Sequence, residues 1–201
     1  MVRILVRPVL LVVIMLSLSF AAGCSGLSGD PYEQANDHVA EANEAIEEHN
    51  RLFEEARGTY EGAKEAVESG GSSSEDDAEE TTVQEEDIEE IVQARETMQE
   101  ARDTLDGARE PLSEVQDLNV EEEITQYAVL LAEGVDAQIA AENREITFYE
   151  TLEQDPTLED SREAAEELLT EIGDGYEEAQ NSYDRARELA EANPELLGGE
   201  S

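Results

Sequence analysis

From Tyr32 onward, apolar and small residues return at alternating steps of three and four: Tyr32, Ala35, Val39, Ala42, Ile46, His49, Phe53, Ala56, Tyr60, Ala63 and Val67. The rhythm holds across five heptads without a slip and predicts a helix with a coiled-coil-like seam. Large residues take one position of each heptad and alanine the other, except at His49. Small residues there let a neighbouring helix approach to the near end of the ~8–10 Å range. Asp30-Pro31-Tyr32-Glu33 opens the helix with an N-cap acid, a proline at the first position and an acid in the first turn, and Gly70-Gly71 stops it.

The large/alanine alternation recurs through Ile91, Ala94, Met98, Ala101, Leu105, Ala108, Leu112 and Val115, after a capping box at Thr82-x-x-Glu85. Pro111 inside this register predicts a kink near Gly107 to Glu110. Asn119-x-x-Glu122 reads as the next N-cap. A third helix carries Ile124, Tyr127, Leu131, Val135, Ile139, Ile146, Tyr149 and Leu152, drifting from the heptad toward the 3.6 period. Ala128, Leu130, Ala141 and Phe148 widen its stripe, so it is expected to be the most buried. Asp155-Pro156 ends it and starts a fourth, with Ala165, Leu169, Ile172, Tyr176, Ala179, Tyr183, Ala186 and Ala190 again strictly spaced. Gly173-Asp174-Gly175 is a point where that helix is expected to bend.

These segments predict an all-α protein: an antiparallel up-down-up-down four-helix bundle over residues 30–194, with helices near 31–68, 82–118, 120–153 and 157–193. Each is roughly 50 Å long at 1.5 Å per residue. The acidic Ser/Gly stretch 69–81 reads as an exposed loop and 195–201 as a flexible tail. The alternative is an oligomeric coiled coil pairing the same seams between chains; separate caps and neutral loops favour the closed bundle.

Upstream the pattern changes character. Arg3 and Arg7 precede an almost unbroken apolar run, Pro8 to Phe20, followed by the small residues Ala21, Ala22 and Gly23. That layout is a secretory signal peptide, and the run is shorter than the roughly 20 residues a spanning helix needs. Ala21-Ala22-Gly23-Cys24 resembles the lipobox of bacterial lipoprotein precursors, with Ala21 standing where leucine is usual. The resemblance covers residues 1–24 alone. It implies cleavage before Cys24, acyl chains on that residue (palmitate among them), and anchoring to the outer face of the cell membrane, or the outer membrane where one exists. Residues 24–29 are then a lipidated cysteine and short tether. With the lipid at the start of the first helix, the 69–82 loop and the Gln154 to Thr157 turn face away from the membrane. The Asn119 turn and the C-terminus face toward it.

Charge narrows the classes of partner. Removing residues 1–23 takes away Arg3 and Arg7 and no acid, leaving 53 acids against 10 basic residues, a formal charge of −43. Such a surface repels nucleic acid and anionic headgroups, so no nucleic-acid partner is expected and the lipid must supply the membrane contact. Lys64 is the only lysine, a bias suggesting adaptation of the whole surface to salt. Cys24 is the only cysteine, which leaves no disulfide and no cysteine metal site.

The chemistry-bearing residues are few. His38 and His49, eleven residues apart on one helix, lie about 16 Å apart along its axis and cannot share a metal. Neither falls in Glu-x-x-His, so the carboxylate di-iron pattern fails, and His49 on the seam reads as a packed, hydrogen-bonded core histidine. No catalytic residue, metal site or cofactor is expected. Arg95, Arg102 and Arg109 recur every seven residues beside the second seam. They read either as cross-bundle partners of neighbouring acids or as a docking edge for an anionic partner. Asn36, Asn43 and Asn50 form a matching stripe that would fix helix register. All six tyrosines fall on apolar faces, and Tyr127, Tyr149, Tyr176 and Tyr183 are candidates to line a pocket between helices. Two functional readings follow. One is a non-enzymatic, lipid-anchored interaction or scaffolding bundle with an envelope protein partner, self-association included. The other is a small-molecule-binding or sensor bundle.

Overall fold

The computed structural model describes residues 30–194 except 71–84, and for residues 59–70 and 85–87 the backbone alone. The leader, Cys24, the tether, the acidic 71–81 stretch, the Thr82 cap, the side chains of Tyr60 and Lys64 and the C-terminal tail lie outside the described residues. Five helical segments form four arms: α1 (Pro31–Gly70), α2 (Glu85–Asp106), α3 (Arg109–Asp117), α4 (Glu122–Gln154) and α5 (Arg162–Ala192). Among the described residues there is no strand.

Cross-helix pairs fix the direction of each arm. Arg95 meets Glu153, Arg102 meets Asn143 and Arg109 meets Asp136, so α2 and α3 run antiparallel to α4. Tyr176 meets Glu145 and Tyr183 meets Gln138, so α5 runs antiparallel to α4 as well. His49 meets Glu142, and Arg57 meets Glu145 farther along, so α1 runs parallel to α4. This is the up-down-up-down bundle. The starts of α1 and α4 share one end with the ends of α3 and α5; α1, at 40 residues, is ~60 Å long.

The alanine positions of the first two seams are fully buried: Ala35, Ala42 and Ala56 on α1, and Ala94, Ala101 and Ala108 on α2 and its continuation. Their large partners (Val39, Phe53, Ile91, Met98, Leu105, Leu112) fill the core, each such side chain contributing about 1.5–3 kcal/mol on burial. The buried apolar residues fall into two clusters. One, at the end where α1 starts, includes Val39, Leu112, Val115, Tyr127, Leu131 and Ala186. The other, at the far end, includes Phe53, Ile91, Met98, Phe148, Tyr149 and Ile172.

Details of the arms correct the sequence reading. The second arm breaks in two at Gly107-Ala108, where Gly107 N–H bonds Thr104 O and Ala108 N–H bonds Leu105 O, a 3₁₀-like tightening before Pro111. The Asn119 cap is absent: Glu121 is the N-cap residue of α4 and makes no side-chain cap bond. The last helix starts at Arg162 instead of Thr157, because Asp155 organises an intervening turn. Its carboxylate accepts the N–H groups of Glu159, Asp160 and Ser161 and the Ser161 hydroxyl, while Leu158 adopts φ 53°. Through Gly173-Asp174-Gly175 α5 is uninterrupted; at Gly175 an added Cβ would lie 2.9 Å from Ala141 Cβ, so the glycine serves close helix approach. At the start of α1 the Asp30 cap is present, with Tyr32 N–H donating to its Oδ1 at 3.1 Å, while Tyr32 itself is exposed rather than packed.

Candidate functional site: a buried polar layer

Between the two apolar clusters lies a layer of polar and ionisable side chains. On α4, Gln138, Glu142, Glu145 and Tyr149 follow at steps of four, three and four, which places them on one inward stripe. All four are buried, Glu142 completely. From α1 come His49, also fully buried, then Phe53 and Arg57 one and two turns on. From α5 come Tyr176 and Tyr183.

Two hydrogen-bonded groups make up the layer. In the first, Tyr183 donates its hydroxyl to Gln138 Oε1 at 2.9 Å, and Gln138 Nε2 donates to Glu142 Oε1 at 3.1 Å. Glu142 Oε1 lies 2.6 Å from His49 Nε2, and His49 Nδ1 faces Asn50 Oδ1 at 3.3 Å. In the second, Glu145 accepts the hydroxyls of Tyr149 and Tyr176, each at 2.6 Å, and pairs with Arg57 Nε at 3.5 Å. The Arg57 guanidinium lies over the rings of Phe53 and Tyr176, 5.2 and 5.3 Å from their centroids. Tyr176 meets Phe53 edge-on, and Phe53 in turn stacks obliquely on His49.

Proton bookkeeping is unusually constrained here. Asn50 Oδ1 can only accept, so His49 Nδ1 carries a proton. Nε2 then accepts from a protonated Glu142, or a doubly protonated ring donates Nδ1–H to Asn50 and Nε2–H to a Glu142 carboxylate; the pair holds one proton beyond Nδ1–H in either case. Glu142 Oε2 is buried and has no hydrogen-bond partner. As the carbonyl oxygen of a carboxylic acid it bears that at modest cost; as half of a carboxylate it would be an uncompensated buried charge. Burial accordingly pushes the Glu142 carboxyl above its usual range, against the pull of His49 and Gln138. Burial also raises the Tyr176 and Tyr183 hydroxyls, reinforced by the nearby glutamates. What the layer can do chemically is hold and share a proton.

Only part of the layer was named from the sequence. Tyr149, Tyr176 and Tyr183 converge on it, their hydroxyls committed to Glu145 and Gln138. Tyr127 does not: it sits in the other cluster, where burial pushes its hydroxyl up to about 12. The arginine stripe reaches α4 at every step. Arg95 Nε lies 2.5 Å from Glu153 and Arg109 Nε 2.7 Å from Asp136, while Arg102 bonds Asn143 and its own neighbour Asp103. Arg95 and Arg109 thus pair with acids across the bundle, on either side of the Gly107-Ala108 break, whereas Arg102 meets an amide there and its acid on its own helix. His38 ties α1 to α3 through Glu114 at 2.9 Å.

Glu142, Glu145 and Gln138 were missed. The signal was present: the α4 seam jumps from Ile139 to Ile146, and Glu142 fills that gap; Gln138 and Glu145 fill the second stripe around Ala141 and Phe148. Among the described residues no group of three or more His, Cys, Asp or Glu is placed to hold a metal ion, and no helix is long and apolar enough to cross a membrane. Comparisons of the chain with protein-family models, with characterised proteins and with solved structures return no match.

Proposed function

We propose that this chain is a non-enzymatic, lipid-anchored helical bundle of the cell envelope that serves as a protein-interaction or scaffolding module. The observation that carries the reading is the relation of anchor to topology. Cys24, in its lipobox-like setting, stands seven residues before Pro31, a tether of at most ~25 Å. Pro31 opens the longest arm, and the antiparallel arms then divide the bundle into a membrane-side end and a far end. The arginine edge is engaged with α4, which moves the expected docking region from Arg95, Arg102 and Arg109 to the far end around the α4–α5 turn.

Cross-linking in intact cells, followed by tagged recovery and mass spectrometry, tests this. Reproducible cross-links from the far end to one envelope protein support it; self-cross-links alone point to association of copies; none above background removes it. Replacing Cys24 with Ser is expected to release the protein from the membrane fraction, and retention there would overturn the lipid anchor.

The polar layer favours a second reading, a sensor or ligand-binding bundle, because Glu142 Oε2 and Arg57 Nε are buried without hydrogen-bond partners. A thermal-shift screen of small polar metabolites that leaves the melting temperature unmoved would remove it.

A further inference from the structure

We propose that the polar layer is a proton-gated clasp: one proton shared between His49 and Glu142 holds α1 against α4 and α5, and its withdrawal in alkaline surroundings loosens α1. The inference stands on the hydrogen-bond directions and does not depend on the identity of a partner. Tyr183, Gln138, Glu142, His49 and Asn50 form one chain of donors and acceptors from α5 through α4 to α1. With the shared proton in place every link has a donor facing an acceptor. Without it, no hydrogen lies between Nε2 and Oε1 unless the Nδ1 proton moves, which empties the Nδ1–Asn50 link instead; the Gln138 amide, 3.3 Å from Nε2 and 3.1 Å from Oε1, is then the donor left to both acceptors. Both outcomes remove a direct link of α1, the 2.6 Å bond to Glu142 or the bond to Asn50, and leave the longer Gln138–His49 contact and the Arg57–Glu145 pair.

Charge points the same way. From α1 the layer receives His49 and Arg57; from α4, Glu142, Glu145 and Tyr149; from α5, Tyr176 and Tyr183. The α2 positions turned to the core are apolar (Ala94, Met98, Ala101, Leu105), and its arginines face outward to Glu153, Asp103 and Asn143. Arg57 offsets Glu145, and the shared proton keeps the His49–Glu142 pair neutral. Removing it leaves an unbalanced negative charge in the core, beside a second carboxylate and with Oε2 unbonded. The upward displacement of Glu142 by burial agrees with this.

The sign of the effect follows from linkage. In the unfolded chain Glu and His titrate at ordinary values of about 4.3 and 6.5, so between those limits the unfolded pair also holds one proton. Stability attributable to the pair is flat there. Above about 6.5 the unfolded histidine gives up its proton while the folded layer keeps it, so the unfolding constant rises about tenfold per pH unit. No surface carboxylate changes charge at ordinary values in that range, and His38→Gln accounts for the other histidine.

Urea unfolding of the full chain from pH 5 to 9, with hydrogen exchange of the α1 amides alongside, reads the clasp. Wild type is expected to be flat to about pH 6.5, then to lose about tenfold per unit, with α1 exchange accelerating. Glu142→Gln keeps a donor for Nε2 but no proton to lose, and the loss above pH 6.5 disappears. His49→Gln moves the onset down toward pH 4.3. Equal pH slopes in wild type and Glu142→Gln would overturn the proposal. Should either variant fail to fold, the ¹⁵N shifts of the wild-type imidazole decide. A His49 ring whose proton count, one or two, is unchanged from pH 5 to 8 upholds the clasp; a ring that titrates with the solvent refutes it.

Discussion

Gly134 lies directly beneath the ring of Tyr183: a Cβ at position 134 would come within 2.5 Å of Tyr183 Cε1 and 2.7 Å of Cδ1. The absent side chain is what lets the ring lie against α4 and its hydroxyl reach Gln138. Gly134→Ala is expected to push the ring away, break that bond and cost about 1–3 kcal/mol, more than the helix-propensity gain of about 1 kcal/mol. At Gly173 a Cβ meets nothing within 4 Å, and Gly173→Ala should stabilise by up to about 1 kcal/mol. Urea midpoints of the two variants, moving in opposite directions, check the pair.

His49 and Glu142 should behave as one unit. Replacing His49 alone by Leu strands a buried acid and is expected to cost about 3–5 kcal/mol. Replacing both by Leu removes the stranded group and should recover most of that loss. A double-mutant cycle on unfolding free energies measures the coupling; additive single and double losses would show the two side chains to be independent.

The Asp155 turn should set the behaviour in acid. Hydrogen bonds from Ser161 first, and from the Asp160 and Glu159 amides, pull the Asp155 carboxyl from 3.8 down to about 2. A depressed folded value means stability that is present above about pH 4 and lost as pH falls toward 2. Asp155→Ala should lower the melting temperature at pH 7, speed amide exchange at residues 159–161, and remove that part of the acid dependence. Thermal melts at pH 2 and pH 7 reveal it.

Salt should act in two opposite ways. The full sequence carries a formal −41, and screening that repulsion should raise the melting temperature between low and molar salt. The Arg95–Glu153 and Arg109–Asp136 pairs each contribute about 0.2–1 kcal/mol and weaken with salt. Arg95→Ala is therefore expected to cost most at low ionic strength. A wild-type melting temperature that falls with added salt would contradict the balance.

The architecture was legible because helix packing writes itself into spacing. Three-four seams gave four arms and their polarity, and alanines marked the close contacts. Local chemistry decided what was missed. The start of α5 turns on Asp155 reaching across six residues to Ser161, a contact that no cap motif spells out. The polar layer was harder. Among 53 acids, Glu142 and Glu145 differ from the solvated ones only in falling where the α4 stripes lack an apolar residue. His49 was visible on its seam, but its partner was not, since a histidine's neighbour across the bundle depends on helix stagger.

The polar layer also divides the hydrophobic interior. The apolar cluster near Val39, Leu112 and Tyr127 and the one near Phe53, Met98 and Tyr149 each draw on four arms, so each half of the rod has its own core. Two cores threaded on shared helices are expected to permit opening of one half below the free energy of global unfolding. Either end can then open on its own core while the other stays shut.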